Sequence, residues 1–427
     1  METSHGNKPR RPRRGGKGEN APLSPEQKRE RVRAQVKIIR SEMGRDNVGV
    51  ALPPDSDDVA DYLYLYRRGA ILVRDEDVVR VTAALDQQAR VLDSLVGGVT
   101  LLEVLTGEEV PLVLERLDAA LGAGVATPDH VLYVCAVGGG RCCPATEPDE
   151  PPSHKPVPAV SKEKDAGRGV LVSVVDTGWW PDAATSRVSP WLKGVTGDAE
   201  TIDPTAIHPY AGHGTFIAGV VRCVAPATEV RVEGFLTHGG AAFEGNMVVQ
   251  LVETMALGPD IINLSAGTVT RGHAASLAFQ VFYEKYLSQV KNTVLVAAAG
   301  NDSTRAPFWP AAFPWAVSVG ATDASGARSD YSNHGSWVDV SAQGSGLVNA
   351  FPVGTYTCSE PPHAGDVRHF KGMAQWSGTS FSTPVVVGLI AARMGETGLS
   401  ARHAAEQVLA ESRAHAVPGV GPFLSLP

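Results

Sequence analysis

The sequence of 427 residues is poor in cysteine and has no long apolar run. Its five cysteines are an odd number, and Cys142 and Cys143 are adjacent, so reduced thiols are expected in place of a regular disulfide framework. No run of 18 apolar residues is present, which excludes an ordinary membrane-spanning helix. The Arg-rich beginning is not followed by the apolar run of about 7–15 residues that a secretory signal needs. We therefore predict a cytoplasmic protein with no membrane contact.

Positive charge is concentrated at the start of the chain. Residues 1–40 carry twelve Lys and Arg against four Glu, whereas the remainder is acidic. Such a segment could bind nucleic acid, but it contains no aromatic residue to stack on bases, so we interpret residues 1–23 as a disordered basic tail. Residues 24–69 are predicted as a helical and extended lead-in. Ser24, Pro25 and Gln27 match a capped helix start, and Val32, Val36 and Ile39 share one face of that helix.

A small α+β unit is predicted over residues 70–137. Apolar and helical stretches alternate there as strand 70–73, helix 75–91, two strands on either side of Gly97-Gly98, helix 110–121 and strand 130–137. The order β-α-β-β-α-β is that of a ferredoxin-like domain. Residues 138–165 are rich in Gly, Pro and charge, which predicts an exposed linker.

Residues 166–427 alternate apolar strands with helices, so we predict an α/β domain. Near-continuous apolar strands separated by helices indicate a parallel sheet covered by helices on both faces. The predicted strands are 169–175, 229–235, 260–264, 293–299, 315–320 and 337–341, and the predicted helices are 214–221, 244–257, 273–290 and 381–394. In such sheets the functional site lies at the carboxyl ends of the strands.

Three motifs lie at the ends of these elements. Asp176 directly follows a buried strand in Asp-Thr-Gly, and His213 opens a helix in Gly-His-Gly-Thr. Ser380 lies in Gly-Thr-Ser-Phe-Ser-Thr-Pro at the start of a buried helix, where free backbone N–H groups favour an oxyanion. Each could alone be a turn or cap residue. Asn301, in Ala-Ala-Gly-Asn after another buried strand, would supply a second oxyanion donor.

In this order, Asp, His, Asn and Ser, the motifs resemble the subtilase family over about residues 167–415. The resemblance implies a serine endopeptidase that acts through an acyl-enzyme. Ser380 would be the nucleophile, His213 the general base and Asp176 its orienting partner, with Asn301 in the oxyanion hole. It also implies that Ser265, Ala266 and Gly267 pair with an extended polypeptide substrate, and that Asp302 and the loop 303–310 help to line the pocket.

The sequence departs from the family pattern at two positions beside the motifs. Phe216 replaces a frequent His after His-Gly-Thr, and Phe381 replaces the usual Met after the nucleophile. Both are apolar, so the chemistry is expected to be kept. The stretch 344–376 is long and contains Cys358, His363 and His369, whose spacing matches no standard zinc pattern. Relatives often hold structural calcium, but no acidic loop here matches a calcium pattern, so no cofactor or metal is predicted.

The resemblance also implies a role for the unit 70–137 as a prodomain. Its own N-terminal domain would then act as an intramolecular inhibitor, with processing in the linker 138–165. A docking module that stays attached is the alternative for this unit. For the whole chain, the alternative is a peptide-binding pseudoprotease, which would be expected to lack a triad member or the oxyanion Asn.

Overall fold

The first helix follows from its capping residues. The computed structural model describes residues 24–134 and 147–425, so the predicted basic tail lies outside the described residues. Helix α1 (Pro25–Met43) begins with a capping box in which the Ser24 side chain accepts from the Gln27 backbone and the Gln27 side chain accepts from the Ser24 backbone. Its buried face includes Val32, Val36 and Ile39, as the periodicity predicted.

A front domain, residues 48–134, follows α1. Its elements are β1 (Val48–Ala51), β2 (Tyr64–Arg74), α2 (Val78–Ala84), β3 (Ala89–Val96), β4 (Val99–Val104), α3 (Val110–Leu121) and β5 (Ala126–Tyr133). The strands form an antiparallel sheet in the order β3-β4-β2-β5, and β1 pairs with β2. The predicted helix 75–91 was too long. Asp86 and Gln87 have φ of 51° and 62°, which ends the helix before β3 begins.

The second domain is built on a parallel sheet of eight strands. These are β6 (Leu171–Asp176), β7 (Thr196–Gly197), β8 (Glu229–Gly234), β10 (Ile261–Leu264), β11 (Val294–Ala298), β12 (Val317–Thr322), β13 (Val340–Gln343) and β16 (Phe423–Leu424). Their order is β16-β13-β12-β11-β10-β6-β8-β7, and every neighbouring pair is parallel. The short strand β9 (Ala241–Phe243) lies outside this sheet.

Helices cover both faces of the parallel sheet, which confirms the predicted α/β class. The helices are α4 (His213–Val224), α5 (Glu244–Ala256), α6 (Leu277–Lys285), α7 (Thr379–Thr397) and α8 (Ala401–Ala414). One face packs against α4, α7 and α8, and the other packs against α5 and α6. The sheet of the front domain rests on α5 and α6. In the described part of the chain, no helix is long and apolar enough to span a bilayer.

A hairpin occupies the long stretch before Ser380. Strands β14 (Leu347–Thr357) and β15 (Val367–Trp376) pair with each other, and sequence reasoning did not foresee them. Two earlier segments dock on this hairpin. The described part of the predicted linker, 147–165, pairs through Asp149 and Val157, and α1 reaches the hairpin turn through a buried ion pair of 2.9 Å between Arg31 and Glu360.

Strand β5 belongs to two layers of the molecule. Within the front domain it pairs with β2, and on its other edge it pairs antiparallel with β9 of the second domain. Its last residue, Tyr133, then forms a bridge to Gly267. The front domain therefore ends in a strand that runs between two segments of the second domain, at the edge where the predicted site residues gather.

Candidate active site

Asp176 and His213 form a buried pair at the carboxyl end of the parallel sheet. Asp176 is the last residue of β6 and is 0% exposed, and His213 is the first residue of α4 and is 2% exposed. Nδ1 of His213 lies 2.8 Å from Oδ1 and 3.0 Å from Oδ2 of Asp176. Because a carboxylate can only accept, Nδ1 carries the proton and donates. Nε2 is left as the proton-accepting nitrogen, as a general base requires.

Aromatic rings pack against the imidazole of His213. The ring of His213 lies 5.1 Å from that of Phe381 and 5.4 Å from that of Trp376, measured between centroids. Phe216 packs on Phe381 at 4.6 Å. The two positions where the sequence departs from the family pattern thus form one apolar cluster, which restricts the rotation of the imidazole.

Ser380 lies at the N-terminal end of α7, as its motif predicted. It is the second residue of the helix, so its backbone N–H is one of the first four that have no carbonyl partner inside the helix. Its Oγ lies 3.2 Å from the carbonyl oxygen of Val134 and 3.3 Å from that of Ser265. Pro384 cannot donate to the carbonyl of Ser380, and the hydroxyl of Ser265 donates to that carbonyl at 2.9 Å.

Asn301 is fixed beside Ser380 by Thr379. Its Oδ1 accepts from the backbone N–H and from the hydroxyl of Thr379, each at 2.9 Å. With the carbonyl end of the amide held in this way, the NH₂ group is the end that remains for an oxyanion. Asn301 is 3% exposed, so a donor at this position acts in a largely water-free environment.

The predicted substrate-pairing segment, Ser265–Gly267, is already paired with the protein's own chain. The N–H of Tyr133 donates to the carbonyl of Gly267 at 2.9 Å, and the N–H of Gly267 donates back at 3.2 Å. The N–H of Val134 donates to the carbonyl of Gly240 at 2.9 Å. The end of the front domain is therefore the middle strand of three, and it leads to Ser380.

The side chains of this middle strand are buried on both sides. Leu132 is 0% exposed, Tyr133 2% and Val134 4%. Leu132 and Val134 join the apolar cluster that contains α5 and α6. The ring of Tyr133 lies 6.1 Å from that of Phe308, and its hydroxyl lies 3.5 Å from that of Tyr62. Both the backbone and the side chains of the strand are thus held by the second domain.

A second carboxyl group lies behind the Asp–His pair. Glu200 is 6% exposed, and its Oε2 accepts from the N–H of Gly212 at 2.8 Å, directly before His213. Burial, together with the negative charge of Asp176, raises the pKa of Glu200 to about 8. Glu200 is therefore largely neutral at pH 7.

No metal site accompanies these residues within the described ranges. No group of three or more His, Cys, Asp or Glu side chains in residues 24–134 and 147–425 could hold a metal ion. Cys358 is buried, whereas His363 pairs with Asp366 and His369 with Thr355. The other three cysteines lie outside the described residues.

Sequence reasoning missed two features of the site. The apolar run 130–137 predicted a strand, but nothing local shows that its partners are β9 and Gly267, more than 100 residues later. Glu200 lies in a loop without a motif, and only its burial distinguishes it from an ordinary surface Glu.

Comparisons with known proteins extend these observations. A family model described as "Subtilase family" matches residues 167–417, more than half of the chain. Thermitase of Thermoactinomyces vulgaris is 28% identical over 270 residues, which cover 60% of this chain and 85% of thermitase. Subtilisin E of Bacillus subtilis is 28% identical over 250 residues, 55% of this chain and 58% of the relative. The chain thus spans little more than half the length of subtilisin E.

One solved structure resembles a larger part of the chain. The crystal structure of fervidolysin from Fervidobacterium pennivorans, described as a keratinolytic enzyme related to subtilisin, is 16% identical. It covers 89% of this chain and 62% of its own, with a TM-score of 0.57. At this identity the similarity concerns the fold alone.

Proposed function

The chain belongs to the subtilase family of serine peptidases, as its motifs predicted, and on that premise we propose that it is a serine endopeptidase inhibited by its own front domain. Ser380 would attack a peptide carbonyl, His213 would take the serine proton and return it to the leaving amine, and Asp176 would stabilise the imidazolium. Asn301 and the N–H of Ser380 would bind the oxyanion. The chain would be cut by its own Ser380 next to Val134.

One observation carries this proposal. Ser380 Oγ lies 3.2 Å from the carbonyl oxygen of Val134, on a strand that is hydrogen-bonded from both sides as a peptide substrate would be. This strand occupies the groove between Gly240 and Ser265–Gly267, where a substrate peptide would lie. It thereby presents a peptide bond of the same chain to the nucleophile. The proposed cut therefore lies at Val134–Cys135 or at Cys135–Ala136, shortly before the linker in which the sequence analysis expected it.

The catalytic role of Ser380 is tested by intact-mass spectrometry of the purified chain during incubation. Wild type should separate into two fragments that meet beside Val134, whereas Ser380→Ala should stay full length, because without the hydroxyl no acyl-enzyme forms. Ser412→Ala is a matched control, since Ser412 is also buried in a helix and its hydroxyl also donates to a backbone carbonyl. This control should be cut like wild type.

The other outcomes separate the alternatives. If wild type stays intact yet cleaves added peptides, the front domain is a docking module. If wild type neither shortens nor cleaves any peptide, the chain is a peptide-binding pseudoprotease. The oxyanion role is tested separately by Asn301→Ala, which should lower kcat by about 10²–10³-fold, a magnitude measured for subtilisin, a relative. A loss below about threefold would remove Asn301 from the mechanism.

A further inference from the structure

We propose that Phe308 fills the pocket for the residue before the scissile bond, so that this peptidase cuts after small residues such as Gly, Ala, Ser and Cys. The inference rests on the proposed function and adds a substrate class to it. It concerns a slot beside Ser380, defined by the segments that follow two neighbouring parallel strands: Ser265–Gly267 after β10, and 299–301 after β11.

The slot lies where the side chain before the cut must go. Ser380 Oγ is 3.3 Å from the carbonyl oxygen of Ser265 on one side, and Asn301 is bonded to the residue next to Ser380 on the other. A carbonyl carbon attacked by Ser380 therefore lies at the mouth of the slot.

The two walls of the slot are glycines, but the space between them is not free. A Cβ built on Gly267 would lie 2.7 Å from Cδ1 of Phe308, and a Cβ built on Gly300 would lie 3.1 Å from Cδ1 and Cγ of the same ring. The absence of side chains at both positions thus makes room for Phe308 and leaves no open pocket. Phe308 is 2% exposed, and the ring of Tyr133 lies next to it.

The backbone around Phe308 is held in place on both sides. Its neighbour Trp309 exchanges two hydrogen bonds with Thr268, at 2.8 and 2.9 Å, and Thr268 directly follows the wall residue Gly267. The carbonyl of Phe308 itself accepts from the N–H of Ala312 at 2.9 Å. To empty the slot, the ring would have to leave a buried apolar cluster.

The protein's own proposed cutting site agrees with a filled slot. Of the two proposed cuts, the one at Cys135–Ala136 follows a small residue, whereas the side chain of Val134 packs in the cluster that contains α5 and α6. Tyr133 is the large residue of this stretch, and it precedes both cuts. A chain that processes itself at Cys135–Ala136 would place only a small side chain at the mouth of the slot.

The test is a cleavage profile of the whole protein. The full-length chain is incubated until its own processing is complete, and is then added to a mixture of unfolded proteins whose new termini are sequenced by mass spectrometry. Wild type should cut after Gly, Ala, Ser and Cys, with cuts after Phe, Tyr, Leu and Met depleted by about 10–200-fold relative to cuts after Ala. Phe308→Gly should open the slot and reduce this discrimination by more than about tenfold.

The matched control is Phe313→Ala. Phe313 is another buried aromatic residue of the same loop region, and it packs on Trp309 and lies outside the slot. This variant should keep the preference for small residues. If Phe308→Gly fails to fold in a thermal-unfolding measurement, Phe308→Leu serves as a smaller opening, and the wild-type profile is decisive by itself.

Each outcome has a distinct meaning. If wild type cuts after Phe and Leu as readily as after Ala, the filled slot is wrong while the peptidase proposal stands. An unchanged profile in a folded Phe308→Gly variant would also overturn the role of Phe308. If wild type cuts no protein at all, the proposed function itself fails, and this inference fails with it.

Discussion

The two faces of the parallel sheet are covered in different ways. On the α4/α7 face, the contacts come from apolar side chains of one domain, and Phe216, Val220 and Val386 are each 0% exposed. On the α5/α6 face, the layer continues into the front domain, and charged groups lie at the junction. Asp129 accepts from the N–H of Gly245 at 2.8 Å, and it also pairs with Arg67 at 2.8 Å.

The junction contains a second buried polar group. Nδ1 of His130, on β5, lies 2.7 Å from Oε2 of Glu244 at the start of α5, and its Nε2 accepts from the N–H of Arg271 at 3.1 Å. The other oxygen of Glu244 accepts from the hydroxyl of Ser276 and the N–H of Ala278. Contacts between apolar side chains do not depend on a charged or hydrogen-bonding partner. A junction with buried charges and hydrogen bonds is stable only while both domains supply the partner groups. The α4/α7 face is thus held within one domain, whereas the α5/α6 face depends on groups from both domains.

On the α4/α7 face, Phe216→Ala should lower the free energy of unfolding by about 3–5 kcal/mol, because it removes a fully buried ring that packs on Phe381 and Trp376 and leaves a cavity. Denaturant unfolding in the Ser380→Ala background, which prevents self-cleavage, measures this loss. Val79→Ala, at a side chain that is 79% exposed, should change stability by less than about 0.5 kcal/mol. A loss below about 1 kcal/mol for Phe216→Ala would show that the α4/α7 face does not depend on this buried ring.

Glu200 is a buried titratable group whose contacts lie within the second domain. Its pKa is raised in the fold to about 8 from 4.5, so the folded state binds a proton that the unfolded state releases. Its contribution to stability is complete below pH 4.5 and is lost as the pH rises to 8, by roughly 2–4 kcal/mol. Glu200→Gln should remove most of this loss.

The measurement is the free energy of unfolding from pH 4.5 to 8.5 in the Ser380→Ala background. Gln keeps an oxygen that can accept from the N–H of Gly212, and it cannot ionise. Glu406→Gln, at an exposed position of α8, should leave the pH dependence as it is in the parent. If the free energy of unfolding varied with pH equally in the parent and in Glu200→Gln, Glu200 would have the same charge in the folded and the unfolded state.

At the junction, Asp129→Ala removes the acceptor of the N–H of Gly245, the hydrogen bond that joins β5 to α5, so docking should weaken by about 1–3 kcal/mol. In the Ser380→Ala background, hydrogen exchange of the first amides of α5 should become faster by the factor to which this loss of docking free energy corresponds, about tenfold for each 1.4 kcal/mol. Asp118→Asn breaks a more exposed ion pair of the same junction, with Arg271, and should cost less than about 1 kcal/mol. Equal effects of both substitutions would show that burial of the charge is irrelevant.

The sequence predicted those parts of the molecule that depend on neighbouring residues. Helix α3 occupies the predicted range 110–121, and the buried strands β6, β10 and β11 lie within one or two residues of their expected bounds. Asp176 and His213 are brought together because strand ends and helix starts meet at one edge of a parallel sheet. Their chemistry stays a prediction until Ser380→Ala is measured.

The rest depends on contacts between distant segments. The predicted helix 273–290 is only nine residues long in the fold, because the chain enters it through the cap Ser276 and leaves it at Tyr286 for a separate turn. The hairpin β14–β15 and the strand β9 are stabilised by their partners, and no local periodicity marks them. Phe308 fits beside Gly267 and Gly300 because neither has a side chain. These glycines lie 41 and eight residues before Phe308 in the sequence.

If the proposed cut beside Val134 takes place, occupancy of the groove by the end of β5 becomes dependent on protein concentration. While the chain beside Val134 is intact, the strand in the groove is tethered, and its effective concentration, in the millimolar range for a short linker, does not change with the amount of protein present. Once the chain is cut there, residues 24–134, including α1 and its ion pair to Glu360, become a separate molecule. Occupancy of the groove then follows the law of mass action, so a concentrated sample would remain blocked and a dilute one would open.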